Sequence, residues 1–83
     1  NTGAPPAYDP GMTDMAARIA TLTKQERCIL EYLNRGKSNK FVAIELDIAE
    51  STVKAHVSSI LRKLKVHSRT LAVIKAGPLL QLN

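Results

Sequence analysis

The sequence has no tryptophan, a single cysteine and only 4% aromatic residues, namely Tyr8, Tyr32 and Phe41. With so few rings, a core must be built from Leu, Ile, Val and Ala. Cys28 has no cysteine to pair with, which excludes the small secreted scaffolds that disulfides staple together. A reducing cytosol is the default compartment. No apolar run approaches the ~18 residues that a membrane-spanning helix needs, and no charged-then-apolar leader opens the sequence. The first residue is Asn1 rather than Met, so we read the chain as a piece of a longer protein. Acidic residues are also scarce. Seven Asp and Glu face twelve Lys and Arg across 83 residues, which leaves a net charge of +5 and an isoelectric point near 9.7. That surplus on one small domain points to a polyanionic partner, either nucleic acid or an anionic membrane.

The groupings that carry chemistry are absent as well. His56 and His67 are far apart, and Cys28 lies in another segment, which is no metal-ligand spacing. Cys28 reads as a small hydrophobe rather than a redox-sensing thiolate. No Ser/His/Asp or Cys/His set and no glycine-rich phosphate loop is present. We expect no enzymatic activity, no metal and no cofactor.

What the sequence does contain is helical. Residues 1–20 read as a linker, because three of the four prolines and two glycines fall before residue 12. A short helix over 13–20 is expected within it, capped by Thr13, with Met15, Ala16, Ile19 and Ala20 at helical spacing. The folded domain is expected over 21–83. Thr23 and Glu26 form a capping box that opens a helix over 24–35, with Ile29, Leu30 and Leu33 on one side and Gly36 as its stop. Ser38 caps a helix over 39–46 that turns Val42, Ala43 and Leu46 inward. After the break Asp47-Ile48-Ala49, a helix runs over 50–65. Its stripe of Val53, Val57, Ile60, Leu61 and Leu64 spans an arc of about 100°. Ser68 caps a last helix over 69–76, which Gly77-Pro78 ends. The expected fold is therefore an all-α bundle of four helices. The joint between the second and third is too short for a relaxed antiparallel hairpin and suits a steeply crossed helix-turn-helix.

Opposite the stripe of the third helix lie Ser51, Lys54, Ala55, Ser58 and Arg62, with no acid after Glu50. Hydroxyls and cations suit base edges and phosphates, and a small apolar side chain suits a thymine methyl. Between Lys37 and Arg69, seven Lys and Arg meet three acids, so most of the positive surplus sits in this segment. A localised surplus is a stronger sign of DNA than a spread one. The competing view is that a basic outer face on an amphipathic helix is only a solvated face. His56 falls at the edge of the apolar stripe and reads as a boundary residue or a phosphate contact.

Several spaced blocks agree in order and separation with one known family. They are Leu22-Thr23-Lys24-Gln25-Glu26-Arg27, Gly36-Lys37-Ser38-Asn39-Lys40, Leu46 to Val57, Leu64-Lys65-Val66 and Ser68-Arg69. Over about residues 21 to 76 they closely resemble the LuxR-type (NarL/FixJ-type response-regulator) helix-turn-helix DNA-binding domain. The resemblance implies a bacterial transcription regulator that acts in the cytoplasm. Its DNA-binding module lies behind an N-terminal receiver or ligand-sensing domain, with the Pro-rich segment as a piece of the interdomain linker. By matched position, Lys54, Ala55 and Ser58 enter the major groove. Asn39 and Lys40 meet phosphate at the start of the second helix. Ser51, Thr52, Arg69 and Arg62 are further backbone contacts. In such modules the last helix commonly pairs two copies. Here Leu71, Val73 and Ile74 leave an apolar face over after core burial, which independently suggests an interface. RNA polymerase is a further partner of such regulators.

The sequence departs from the family pattern in four places. Ala49 replaces the usual Ser or Thr cap of the recognition helix. Phe41 takes an often polar place, either as a partner contact or as a ring tucked against its neighbours. Val66-His67 replaces a glycine-containing turn, and Ser58 is shorter than the residue usual there. Two other readings compete with a DNA-binding regulator. One is region 4 of a sigma factor, against which the Asn39-Lys40 and Ser68-Arg69 blocks argue. The other is a helical protein-interaction module whose patch would be the last helix with Leu79, Leu80 and Leu82.

Overall fold

A computed structural model describes residues 10–80, with side chains from Asp14 onward. Five helices follow one another: α1 (Pro10–Ala20), α2 (Lys24–Asn34), α3 (Asn39–Leu46), α4 (Glu50–Leu64) and α5 (Arg69–Leu80). The described residues contain no strand. The core is aliphatic throughout, and Ile29, Leu30, Val42, Val53, Ile60 and Leu64 are its largest fully buried side chains. Each contributes about 1.5–3 kcal/mol by leaving water. α4 is the hub and touches each of the other four helices.

The caps follow from local chemistry. The Thr23 hydroxyl accepts from the Glu26 amide at 3.1 Å, and the Thr23 amide donates to Glu26 Oε1 at 2.9 Å. Ser38 Oγ accepts from the Phe41 amide and Ser68 Oγ from the Leu71 amide, both at 3.1 Å. Gly36 takes φ +77° after α2, as its lack of a Cβ permits. At the end of α4 no glycine is available, and Lys65 itself adopts the left-handed conformation at φ 58°. The Val66 amide then reaches back to the Leu61 carbonyl, and Val66 is buried while His67 is exposed.

The four expected helices are present, with the short helix expected before them packed as a fifth. Two of the expected bounds are corrected. The helix expected over 13–20 begins at Pro10, so Thr13 lies inside it rather than capping it. Proline suits a first helical position, where its fixed φ is already helical and its missing N–H has no partner to lose. This helix is not merely linker, because Met15 and Ile19 are buried in the core. Residues 1–9 of the expected linker lie outside the described residues, as does Leu82. The last helix runs on through Gly77-Pro78 to Leu80 instead of stopping at Ala76. Gly77 packs beside Asn34, and a Cβ at this position would press on the Asn34 amide oxygen, the end of a side chain that can swing aside. Pro78 has no N–H to give the Ile74 carbonyl one turn back. Leu79 and Leu80, half-buried against the core, contribute about 1 kcal/mol each, on the scale of the ~3 kcal/mol that an interior proline costs.

Candidate nucleic-acid interface

α3 and α4 are joined by Asp47-Ile48-Ala49, and Asp47 makes the corner in the left-handed conformation (φ 56°). The Ile48 amide closes the turn onto the Ala43 carbonyl at 3.0 Å. Small Ala43 is itself buried, which lets the two helices approach closely. This corner turns the stripe of α4 inward. Val53, Val57, Ile60 and Leu64 are buried, and Leu61 is half-buried. The opposite side is free: Ser51, Thr52, Lys54, Ala55, Ser58 and Arg62 are all exposed, and His56 is half-buried at the margin. Ala49 occupies the N-cap with extended backbone and makes no side-chain cap. Neither Asp47 nor Ser51 replaces that hydrogen bond.

Two cations of the basic segment are engaged internally. Lys63 Nζ donates to Glu26 Oε1 at 2.7 Å, and Ser59 Oγ donates to Glu26 Oε2 at 2.7 Å. Glu26 is therefore a buried carboxylate shared between α2 and α4. Burial alone pushes its carboxyl up. The hydrogen bonds from Lys63, Ser59 and Thr23, together with the Lys63 charge, outweigh burial and hold it at about 2. The second engaged cation is Arg69, whose guanidinium donates to Asn39 Oδ1 and to the Lys37 carbonyl. Asn39 and Arg69 are thus brought together and half-buried, and Lys40 beside them is exposed. Phe41 is tucked locally: its ring meets Tyr32 edge-on at 6.1 Å, and Lys37 Nζ stands 4.7 Å over its centre.

On α5, Ile74 is 61% exposed and Leu71 37%, whereas Val73 is half-buried against the core. Ala72 is wholly buried. Cys28 is half-buried and stands outside the core cluster. Among the described residues, no three His, Cys, Asp or Glu come together as a metal site. No described helix is long and apolar enough to cross a membrane.

Sequence reasoning missed three features. Ile44, 69% exposed, was legible from its position opposite Val42, Ala43 and Leu46. Ser59 and Lys63, four apart beside the stripe of α4, signalled a polar contact but not its partner. The Arg69–Asn39–Lys37 contact had no local signal at all.

The profile of the bacterial regulatory proteins of the luxR family matches residues 20–76, which is more than half of the chain. The chain belongs to the LuxR family. The glycerol metabolism activator of Pseudomonas putida is 54% identical to this LuxR-family chain over 59 residues, 71% of the chain and 27% of that protein. The nitrate/nitrite response regulator protein NarL of Escherichia coli K12 is 49% identical over 56 residues, 68% of the chain and 26% of that protein. A crystal structure of full-length FixJ from B. japonicum superposes with a TM-score of 0.75 and 34% identity, covering 88% of this chain and 36% of that one. The chain spans about a quarter of the length of the curated relatives it matches. In this LuxR-family domain, α3 and α4 are the helix-turn-helix, and α4 is the helix that presents the free cationic side.

Proposed function

We propose that this domain binds double-stranded DNA sequence-specifically, as the effector module of a bacterial transcription regulator. α4 lies in the major groove. The observation that carries the reading is the division of α4: four aliphatic residues buried on one side, and Lys54, Ala55 and Ser58 exposed on the other. Lys54 and Ser58 offer charge and hydroxyl to base edges, and Ala55 offers a small apolar contact. Ser51, Thr52, Arg62 and His56 flank them toward the phosphates. Lys40 and the amide-rich start of α3 meet the backbone beside the groove. The rest of the regulator, a receiver or ligand-sensing domain, precedes this piece, with the Pro-rich residues as part of the linker. The regulator works in the cytoplasm and makes contact with RNA polymerase. Two copies pair through Leu71, Val73 and Ile74 of α5 on two half-sites. No step of this reading is catalytic.

The test is a fluorescence titration against a duplex selected from a random pool, repeated over a range of salt. With three or four phosphates neutralised, the logarithm of affinity should fall with the logarithm of salt at a slope of roughly −3 to −4. Lys54→Ala should weaken binding by about 1–3 kcal/mol. A folded Lys54→Ala protein that binds unchanged would overturn this placement of α4. A wild-type chain that ignores duplex at low salt would leave a protein-interaction module instead.

A further inference from the structure

One guanidinium ties three parts of the chain together. Arg69 is the first residue of α5. It donates to Asn39, the first residue of α3, and to the carbonyl of Lys37 in the turn after α2. These partners lie 30 and 32 residues away in sequence. α5 thereby holds, from behind, the end of α3 that the duplex-binding reading sets against the phosphates.

The polarity of the contact fixes the direction in which Asn39 points. Arginine has five N–H donors and no acceptor, so only the amide oxygen of Asn39 can face it. The amino group is therefore turned the other way, and among the described residues it makes no hydrogen bond. It stands beside exposed Lys40. The Phe41 amide is already taken by Ser38, while the amides of Asn39 and Lys40 precede the first intrahelical bond. Oriented in this way, Asn39 completes a set of donors with nothing to accept from within the chain.

We propose that Arg69 is a positioning residue for DNA binding and not itself a DNA contact. It locks Asn39 with its amino group outward, so that a phosphate oxygen meets a fixed neutral donor beside Lys40. The inference rests on the duplex-binding reading and specifies how one end of that interface is held. The clamp and a direct phosphate contact differ in two measurable ways. A direct cation–phosphate contact releases counterions, so its loss lowers the salt slope by about 0.9, whereas loss of a neutral donor leaves the slope in place. Lysine is a good point-charge phosphate binder, but a single ammonium does not reproduce a fork spread over two acceptors.

The experiment titrates the chain into a random-sequence duplex over a salt series. The proteins compared are wild type, Arg69→Lys, Arg69→Ala, Asn39→Ala and the Arg69→Ala/Asn39→Ala double variant, each checked for fold by circular dichroism. Arg69→Lys should weaken binding about tenfold, as expected for losing a charge-assisted hydrogen bond, with the salt slope changed by less than about 0.3. Arg69→Ala and Asn39→Ala should each cost about tenfold, and the double variant about tenfold rather than a hundredfold, because both remove the same interaction. Without DNA, amide exchange in the first turn of α3 should speed up in Arg69→Lys. The proposal is overturned if Arg69→Lys binds like wild type, if Arg69→Ala lowers the slope by about 0.9, or if the two losses multiply. Should Arg69→Ala fail to fold, Arg69→Lys decides alone. If wild type binds no duplex, the functional reading falls and this proposal with it. If wild type binds and only the variants disagree, the functional reading stands without the clamp.

Discussion

Replacing Glu26 by glutamine removes one charge from the junction of α2 and α4 and nearly preserves its shape. Gln keeps an oxygen for the Thr23 amide, and the Ser59 hydroxyl can turn to accept instead of donate. The loss is therefore mostly the loss of the carboxylate. Its carboxyl titrates at about 2 when folded, against 4.5 ordinarily. The folded value is depressed, so the stabilisation is complete above about 4.5 and is lost as the pH falls toward about 2. Taken whole, the displacement corresponds to about 3 kcal/mol. The Lys63 side chain is 31% exposed, so water screens part of this and about 2 kcal/mol is the better expectation. Urea unfolding at neutral pH should then show a midpoint about 2 M lower for Glu26→Gln, at a slope near 1 kcal/mol per molar for a domain of this size. The gap between the two proteins should narrow as the pH falls from about 4.5 toward about 2, as linkage requires. A gap that stays constant from neutral pH to pH 3, or no gap at neutral pH, would refute the assignment of Glu26 as a charged buried hub.

Three further outcomes test other parts of the structure. Ala49→Ser supplies the missing cap of α4 and should raise stability by about 1 kcal/mol in the same unfolding assay. Gly77→Ala should gain about 1 kcal/mol in an Asn34→Ala background and less alone, where its Cβ must displace the Asn34 amide, as thermal unfolding will show. Ile74→Glu lies on an exposed position, so it should shift monomer stability by less than about 0.5 kcal/mol yet abolish cooperative binding to a duplex with two half-sites. Cooperativity that survives would move the pairing surface away from α5.

Much of this molecule was legible from short-range patterns. A cap is a bond between residues three apart, so Thr23, Ser38 and Ser68 announced their helices, and each makes the expected hydrogen bond. A buried stripe is a periodicity, so Val53, Val57, Ile60 and Leu64 were found, and with them the free side of α4. The same local rules misjudged the ends of the chain. Pro10 and Gly77-Pro78 read as breakers, yet both lie in helices: Pro10 takes the first helical position, where proline loses nothing, and burial of Leu79 and Leu80 offsets much of what Pro78 costs.

The amino-acid order by itself determined the helical class, the inward stripe of each main helix and the concentration of positive charge around α4. Each of these depends on residues within a turn or two of one another, where sequence distance and spatial distance agree. Only the tertiary structure decided which cations remain free. Lys63 is drawn to Glu26 and Arg69 to Asn39 and Lys37, across separations of 30 to 37 residues. Coulomb attraction and hydrogen bonding act over a few ångströms of space, and no local rule states which distant residues the fold will bring within that reach.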